Sequence, residues 1–223
     1  MKRSEINKIM SDAVKFMKKN KFFLPPFAFW GPDEWKKKGE EVDEIRTCML
    51  GWDLTDFGSG DFHKIGLAIF TIRNGHMTDP RYTNKPYCEK VMIVEEGQIT
   101  PMHFHWKKAE DIINRGGGNL VVQLYNSTPD EGLAKTDVTV SIDGVSRKVK
   151  AGGLVTLKPG QSIFLPSGLY HKFWGQNGKV LIGEVSKVND DKTDNRFYEK
   201  IGRFPKIDED VKPLYLLFSE YPG

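Results

Sequence analysis

The strongest constraint on the fold is a series of short apolar runs that begins at about residue 52. Each run is rich in Val, Ile, Phe and Leu and is bounded by Gly, Asn, Asp or Pro, as β-strands are. Asp143-Gly144 lies between two such runs and is typical of a hairpin turn. Because no helical pattern separates the runs, the sequence predicts an antiparallel β-sandwich or barrel. The runs cover residues 67–73, 89–95, 120–125, 138–142, 162–165 and 180–185.

The N-terminal part of the sequence has a helical pattern instead. Apolar residues between residues 4 and 20 recur at helical spacing, with Ser4 as the candidate N-cap. A second short helix is expected to open at Pro32 and to end at Gly39. We therefore expect one domain over residues 1–223. It consists of a helical extension (1–50) packed outside a β core (51–190), then a loop and tail (191–223) with a strand-like run at 214–218.

Charge and composition exclude several classes of function. Net charge is +3 and basic and acidic residues alternate along the chain, so no nucleic-acid surface is predicted. No apolar run approaches the length of a bilayer span, and the first residues lack the apolar region of a signal peptide. Cys48 and Cys88 are too few for a disulfide framework and are expected to be buried free thiols. These features predict a soluble, cytoplasmic protein.

Two short segments contain three of the five histidines in the chain. His103 and His105 are separated by one residue, so in a strand both imidazoles would lie on the same face. Glu110 reaches the same site only if the chain bends or bulges after His105. A Pro-x-Gly turn precedes His171, which would come from a distant strand. We predict that these four side chains bind one metal ion.

Three imidazoles and one carboxylate form a ligand set without sulfur. Such a set suits Mn²⁺, Fe²⁺, Co²⁺ or Ni²⁺ in six-coordinate geometry, or Zn²⁺, and leaves about two positions for water or substrate oxygens. Open positions favour a catalytic metal over a structural one. The other histidines, His63 and His76, have no ligand-like neighbours and are interpreted as structural or exposed.

The spacing of these segments resembles the two sequence motifs of the cupin superfamily. The final Asn of the second motif is replaced by Gly175, which weakens the motif but leaves the ligand set intact. Longer runs are similar to those of the bacterial D-lyxose isomerases, at residues 24–28, 51–53, 101–106, 110–120, 165–171 and 183–191. The first motif matches Gly97, His103, His105, Glu110 and Gly117, and the second matches Gly160, Pro166, Gly168 and His171.

The resemblance implies a cupin-type, jelly-roll-like antiparallel β-barrel, a site that prefers Mn²⁺, and a homodimer. It also implies reversible conversion of free aldoses to ketoses, from D-lyxose to D-xylulose and from D-mannose to D-fructose. Such an isomerase moves a proton between C2 and C1 through metal-bound enediol chemistry, with O1 and O2 at the open positions. A nearby carboxylate or amine would carry the proton.

Candidates for this role are charged residues in strand-like surroundings. Glu184 lies in an apolar pattern at residues 180–186, where a lone carboxylate is costly unless it is paired or functional, so it is our first candidate for the base. Lys108, between two ligands, and Lys90, in the run 89–95, could donate hydrogen bonds to the enediol or to sugar hydroxyls. A solvated or outward-facing position is the alternative for each lysine.

Five further residues are candidates for sugar binding. Asp191, Asp194 and Arg196 lie in a polar loop that could close over a sugar. Trp106 and Trp174 flank the ligand segments and could cover the apolar face of a sugar ring. The alternatives are a solvated loop for the first three and core packing for the two tryptophans.

Other functions remain open on the sequence alone. The same barrel could belong to a phosphosugar isomerase, which needs a basic pocket for the phosphate, or to a dioxygenase if iron occupies the site. A non-catalytic sugar-binding cupin is a third alternative. That class predicts an incomplete ligand set or no proton carrier, whereas this sequence supplies candidates for both.

Overall fold

The fold consists of one long helix, several short helical turns and eleven strands, in a computed structural model that describes residues 1–222. The α-helices are α1 (Arg3–Lys19), α2 (Pro32–Trp35) and α3 (Asp43–Thr47), and 3₁₀ turns cover Pro26–Phe29, Glu40–Val42 and Phe218–Glu220. The strands are β1 (Gly51–Thr55), β2 (Leu67–Asn74), β3 (Tyr87–Val94), β4 (Ile99–Phe104), β5 (Glu110–Asn126), β6 (Val138–Ile142), β7 (Val145–Val149), β8 (Leu154–Leu157), β9 (Ser162–Leu165), β10 (Leu169–Lys187) and β11 (Arg196–Phe197).

The strands form a jelly-roll-like sheet in which every pair of neighbours is antiparallel. Hydrogen-bonded neighbours follow the order β1-β2-β3-β10-β5-β9-β6-β7. In addition β4 pairs with β10 and β11, and β8 pairs with β5. The predicted antiparallel β architecture is confirmed, although backbone pairing between residues 1 and 222 does not close the sheet into a complete barrel.

The long strands β5 and β10 pair with each other and run through both halves of the sheet. The first part of β10 pairs with β4, and its last part, Val180 to Lys187, pairs with β3. Both strands bend near their middle, where Gly117 has a φ of 90° and a Cβ atom would lie 2.1 Å from the Lys179 carbonyl oxygen. Only glycine tolerates this combination. The bend brings side chains of β3, β4, β5 and β10 to one cavity.

Two apolar clusters stabilise the fold. One fills the space between the halves of the sheet and includes Leu124, Ile163 and Phe173. The other packs the apolar face of α1 against the outer side of β1, β2 and β3, with Met10 and Trp52 among its buried residues. The predicted position of the N-terminal helix outside the sheet is therefore confirmed, because its apolar stripe has a sheet face to cover.

Two local expectations are wrong. Ser4 is not the N-cap of α1 but lies inside the helix, where its hydroxyl donates to Asp210 at 2.6 Å, and Lys2 occupies the cap position. The run 214–218 forms no strand, since its backbone makes only an isolated bridge between Leu217 and Trp52 before a 3₁₀ turn begins. A strand needs a paired neighbour along its length, and this run lacks one.

Several other expectations are confirmed. The six predicted runs lie in strands, apart from Glu95, which follows the last residue of β3, and Asp143-Gly144 joins β6 to β7. Cys48 and Cys88 are buried free thiols.

The second helix opens at Pro32 but ends at Trp35, so the expected end at Gly39 is wrong. Among the described residues, no helix combines the length and apolarity needed to cross a bilayer.

Candidate metal centre and active site

Three histidines meet where β4 and β10 pair. His171 on β10 lies directly opposite His103 on β4, and His105 follows the last residue of β4. All three side chains are buried, and one possible ligand atom from each lies within 4.8 Å of the others. The structure thus brings together the two histidine segments that the sequence places 66 residues apart.

Backbone carbonyls orient each of these imidazoles. The Nδ1 atoms of His103, His105 and His171 lie 2.8, 2.8 and 3.0 Å from the carbonyl oxygens of Pro101, Asp194 and Leu169 respectively. A carbonyl only accepts a hydrogen bond, so each Nδ1 must carry the proton and each Nε2 must present a lone pair. This is the arrangement that metal-binding histidines adopt.

Glu110, the fourth ligand candidate, comes from the neighbouring strand β5 and lies outside the group of three histidines whose ligand atoms are all within 4.8 Å of one another. Its Oε1 lies 3.1 Å from His171 Nε2 and 3.6 Å from His105 Nε2. The bend expected after His105 is a full loop between β4 and β5, so Glu110 opens a different strand from His103. The Asp194 carboxylate accepts hydrogen bonds from the backbone N–H groups of Lys107 and Lys108 at 2.9 Å and supports this loop.

These residues fit a divalent cation. The Nε2 atom of His171 is buried and has no hydrogen-bond partner among residues 1–222, which is costly unless a ligand meets it. Three imidazole nitrogens and one carboxylate oxygen supply the donor set, and nitrogen and oxygen donors of this kind suit first-row divalent metals.

The ionisation states of these groups also suit a metal. Burial, with help from the nearby His171, lowers the pKa of His103 well below its usual value. Burial and the Lys108 ammonium similarly lower the pKa of His105. Burial raises the pKa of Glu110, but Lys108 and His105 outweigh that effect and hold this pKa well below its usual range. Neutral imidazoles and an ionised carboxylate are the forms that bind metal.

Lys108 joins the ligand set to a second buried carboxylate. Its Nζ lies 2.7 Å from Glu110 Oε2 and 2.8 Å from Glu184 Oε1, and the side chain is fully enclosed. Burial lowers the pKa of Lys108, but Glu110 and Glu184 together raise it above its usual value. Lys108 is therefore an ammonium group at neutral pH, which can donate hydrogen bonds but cannot act as a base.

Glu184 lies on the cavity side of β10, beside Lys90 of β3. Its Oε1 accepts from Lys108 and from the Ser186 hydroxyl at 3.0 Å, and Lys90 Nζ lies 3.7 Å away. Glu184 Oε2 accepts no hydrogen bond from any described residue. Oε1 therefore accepts two hydrogen bonds and has the Lys90 ammonium nearby, whereas Oε2 is uncommitted among the described residues.

Arg203 enters the same cavity from the C-terminal segment. It forms an ion pair with Asp53 of β1, and its Nη2 lies 3.4 Å from Asp191 Oδ1. Asp191 in turn lies 3.9 Å from Lys90 Nζ and accepts a hydrogen bond from Asn189 at 2.9 Å. Every charged group in this part of the cavity therefore has an oppositely charged partner.

The charged groups around Lys108, Glu184 and Arg203 line one cavity together with the three histidines. Part of its lining is charged and includes the metal-ligand candidates, and the rest consists of the neutral polar residues Thr100 and Asn195 and of apolar residues. The apolar wall consists of Phe57, Leu67, Ile69, Met92, Ile112, Phe173 and Phe197.

Comparison with known proteins identifies the family. The family model for D-lyxose isomerase matches residues 1–221. The chain belongs to the D-lyxose isomerase family. This match confirms the resemblance seen in the sequence motifs, and it assigns the protein to an enzyme class, the sugar isomerases.

Two curated relatives match this chain over almost its whole length. The D-lyxose/D-mannose isomerases of Serratia proteamaculans and of Escherichia coli O157:H7 are each 48% identical over 224 residues. In both cases the match covers 99% of this chain and 98% of the relative.

Solved structures of L-ribose isomerases share the fold of this D-lyxose isomerase family member. The enzymes from Cellulomonas parahominis and Geodermatophilus obscurus both superpose with a TM-score of 0.63 and 15% sequence identity. Each superposition covers 93% of this chain and 98% of the other. At this identity, the likeness supports the fold alone.

The cavity includes only part of the residue set predicted from the sequence. Glu184, Lys108, Lys90 and Asp191 line it beside the four ligand candidates. The other four sugar-binding candidates lie elsewhere. Asp194 supports the loop before Glu110, Arg196 pairs with Glu131 at 2.7 Å, Trp106 is 45% exposed and also contacts Glu131, and Trp174 lies under Lys172 on the other face of β10.

The sequence does not predict three polar residues that line the cavity, Thr100, Asn195 and Arg203, or Asp53, which pairs with Arg203. Asp53 carries a signal that could have found it, because it is a lone carboxylate inside an apolar strand, like Glu184. Arg203 lies in an irregular segment with no periodicity, and its partners are distant in sequence. Threonine is common in strands, so nothing in the sequence distinguishes Thr100.

Proposed function

We propose that this protein is a metal-dependent aldose–ketose isomerase that acts on free sugars, converting D-lyxose to D-xylulose and D-mannose to D-fructose. The observation that carries the proposal is the Lys108 bridge, in which one ammonium contacts both the ligand candidate Glu110 and the candidate base Glu184. It holds a base with a free oxygen next to the site where a sugar carbonyl would be activated. The names of the two curated relatives support the choice of sugars.

The candidate metal ligands are His103, His105, Glu110 and His171, and we propose Mn²⁺ as the native ion. When bound, a divalent ion supplies Lewis-acid polarisation of the sugar carbonyl. The preference for Mn²⁺ comes from the family resemblance, since the ligand types also accommodate Co²⁺, Ni²⁺, Fe²⁺ or Zn²⁺.

Glu184 is the proposed proton carrier. Its Oε2 atom would take the proton from C2 of the aldose and return it to C1, while the hydroxyl proton moves from O2 to O1. Lys108 has three N–H donors, of which two are used by Glu110 and Glu184. The third would donate to the sugar oxygen that gains negative charge. Lys90 lies on the other side of Glu184, where it would contact a hydroxyl.

The charge pairs in the cavity disfavour a phosphosugar substrate. Lys90, Lys108 and Arg203 are the cavity cations, and each one contacts a carboxylate. A phosphate would have to displace one of these carboxylates to find a partner, whereas neutral sugar hydroxyls need no such exchange.

A sugar panel tests the function. The chelated protein is assayed with free and phosphorylated aldoses before and after addition of each divalent metal, and we expect turnover of free lyxose and mannose with Mn²⁺. Full activity after complete chelation would contradict the metal dependence. Turnover of phosphosugars alone would contradict the substrate class.

Isotope transfer tests the role of Glu184. In D₂O, proton transfer through a carboxylate should place solvent deuterium at C1 of the ketose. A hydride shift would keep the original hydrogen, so ketose without deuterium at every extent of conversion would contradict a proton carrier.

A homodimer and a cytoplasmic location stay predictions from the sequence, to be checked by light scattering and by cell fractionation.

A further inference from the structure

Thr100 on β4 carries a buried hydroxyl that has no partner. The residue is 2% exposed and lines the cavity, and its Oγ1 makes no hydrogen bond with any group in residues 1–222. Among these residues, only one other buried side-chain nitrogen or oxygen lacks a hydrogen-bond partner. That atom is Nε2 of His171, which faces the candidate metal site. A buried polar atom without a partner in the protein is expected to form a hydrogen bond with a ligand or an ordered water.

A β-bulge aims this hydroxyl into the cavity. On β10, His171 and Phe173 are two positions apart, whereas their partners on β4, His103 and Thr100, are three positions apart. Residues three apart on a regular strand lie on opposite faces. The extra residue of the bulge reverses that alternation, so Thr100 and His103 both face inward. Two strand residues span about 6.6 Å, which sets the separation between Thr100 and the histidines along the sheet.

The neighbours of Thr100 cannot satisfy its hydroxyl. Phe173 lies opposite Thr100 on β10, and the cavity lining also includes the apolar side chains of Phe57 and Phe197. The charged groups of the cavity are already paired, Lys90 with Asn189 at 2.7 Å and Arg203 with Asp53. Thr100 is therefore the one uncommitted hydroxyl in the cavity wall formed by the described residues, and it lies away from the carbonyl end of the proposed substrate.

We propose that Thr100 is a specificity-determining residue whose hydroxyl binds a sugar hydroxyl beyond C2. The inference rests on the proposed function, in that O1 and O2 of the sugar are taken to lie at the histidines and Glu110. With that end fixed, the far carbons of an extended sugar extend along the cavity toward the apolar wall. A single hydroxyl there distinguishes a correctly configured polyol from an apolar ligand of the same size.

The test uses Mn²⁺-loaded protein and two sugar alcohols, mannitol and arabinitol, which keep the hydroxyls of the aldoses but cannot be isomerised. Thr100→Val removes the hydroxyl at constant shape, and we expect about tenfold weaker binding by calorimetry and a similar rise in KM for the aldoses. Thr100→Ser keeps the hydroxyl and should restore binding. The matched control is Thr156→Val on the exposed face of β8, which should bind like the wild type.

A second measurement does not depend on folding of the variant. Monodeoxy mannoses are assayed with the wild-type enzyme, and one analogue should show the same loss as Thr100→Val. The proposed contact is contradicted if Thr100→Val binds the sugar alcohols as tightly as the wild type does. It is also contradicted if no monodeoxy mannose is a poorer substrate than mannose. Either result would indicate that the Thr100 hydroxyl contacts only water. Wild-type protein that binds mannitol through Thr100 but converts neither aldose would support the contact while contradicting the proposed function.

Discussion

The candidate metal ligands lie on neighbouring strands of the sheet or directly after one, whereas Asp191, Asn195 and Arg203 reach the same cavity from a segment with little regular structure. The register between β4 and β10 places His103 opposite His171, so a row of backbone hydrogen bonds sets the distance between them. In residues 188–205 the structure shows only the two-residue strand β11. That segment depends on side-chain contacts, chiefly the ion pair between Arg203 and Asp53.

Substitutions in these two regions should therefore have different effects. Removing a ligand should abolish the metal site while the fold persists, because the strands are held by their backbones. Removing a contact of the C-terminal segment should weaken sugar binding or stability while the metal remains bound. The variants below test that separation, from the largest expected effect to the smallest.

His171→Ala should have the largest effect. It removes one of three imidazoles from the candidate site, so we expect loss of bound metal and a fall in turnover of at least about 10³-fold. Metal content and kcat are measured on the same preparation. His63→Ala is the matched control, since His63 is exposed and contacts Glu95 outside the cavity. A metal-loaded, active His171→Ala protein would remove His171 from the ligand set.

Glu184→Gln should retain the metal and lose turnover. The amide keeps the shape of the side chain but cannot accept the proton, so kcat should fall by about 10²–10⁴-fold with little change in metal content. Glu89→Gln on the neighbouring strand is the control, because Glu89 pairs with Arg73 rather than with any cavity residue. A normal kcat for Glu184→Gln would assign the proton transfer to another group.

Asp191→Asn should destabilise the protein in a pH-dependent way. Burial raises the pKa of Asp191, but Lys90 and Arg203 outweigh it and hold this pKa below its usual value. A depressed pKa contributes stability above the unfolded value of about 3.9, and the contribution is lost as pH falls below it. We expect a loss of about 2 kcal/mol near pH 7.

Urea unfolding of the chelated protein measures this loss, because chelation removes any contribution from metal binding. The difference between Asp191→Asn and wild type should stay constant from pH 7 to about 5 and shrink below about pH 4. A difference that grows as the pH falls would contradict the assigned charge pairs.

Arg203→Met should weaken sugar binding and leave metal binding unchanged. Without the guanidinium, Asp53 and Asp191 lose their shared partner and the segment that carries Asn195 loses its anchor, so KM should rise by about tenfold. The fall in kcat should be smaller, and metal content should match the wild type. Loss of metal in this variant would show that the C-terminal segment also supports the ligand strands.

Arg196→Met should have the smallest effect. Arg196 was predicted to bind sugar, but it pairs with Glu131 at 2.7 Å and does not line the cavity. Exposed pairs of this kind contribute at most about 1 kcal/mol, so KM and kcat should stay close to wild type. A KM change as large as that of Arg203→Met would mean that this segment moves onto the substrate.

The sequence alone determined six of the eleven strands and the ligand candidates. Strand positions follow from local alternation of apolar and polar residues, and both motifs are local spacings, so each can be read without knowing what lies nearby in space. The candidate base Glu184 was also found locally, because a carboxylate in an apolar run is unusual whatever its partner.

Only the tertiary structure decided which other residues share the cavity with those ligands. Lys108 bridges Glu110 and Glu184, and Arg203 meets Asp53, through contacts between chain segments far apart in sequence. The same is true of Thr100, which faces the cavity because a bulge in β4 reverses its side. A one-residue change in register turns a side chain to the opposite face, and the sequence of one strand does not report the register of its partner.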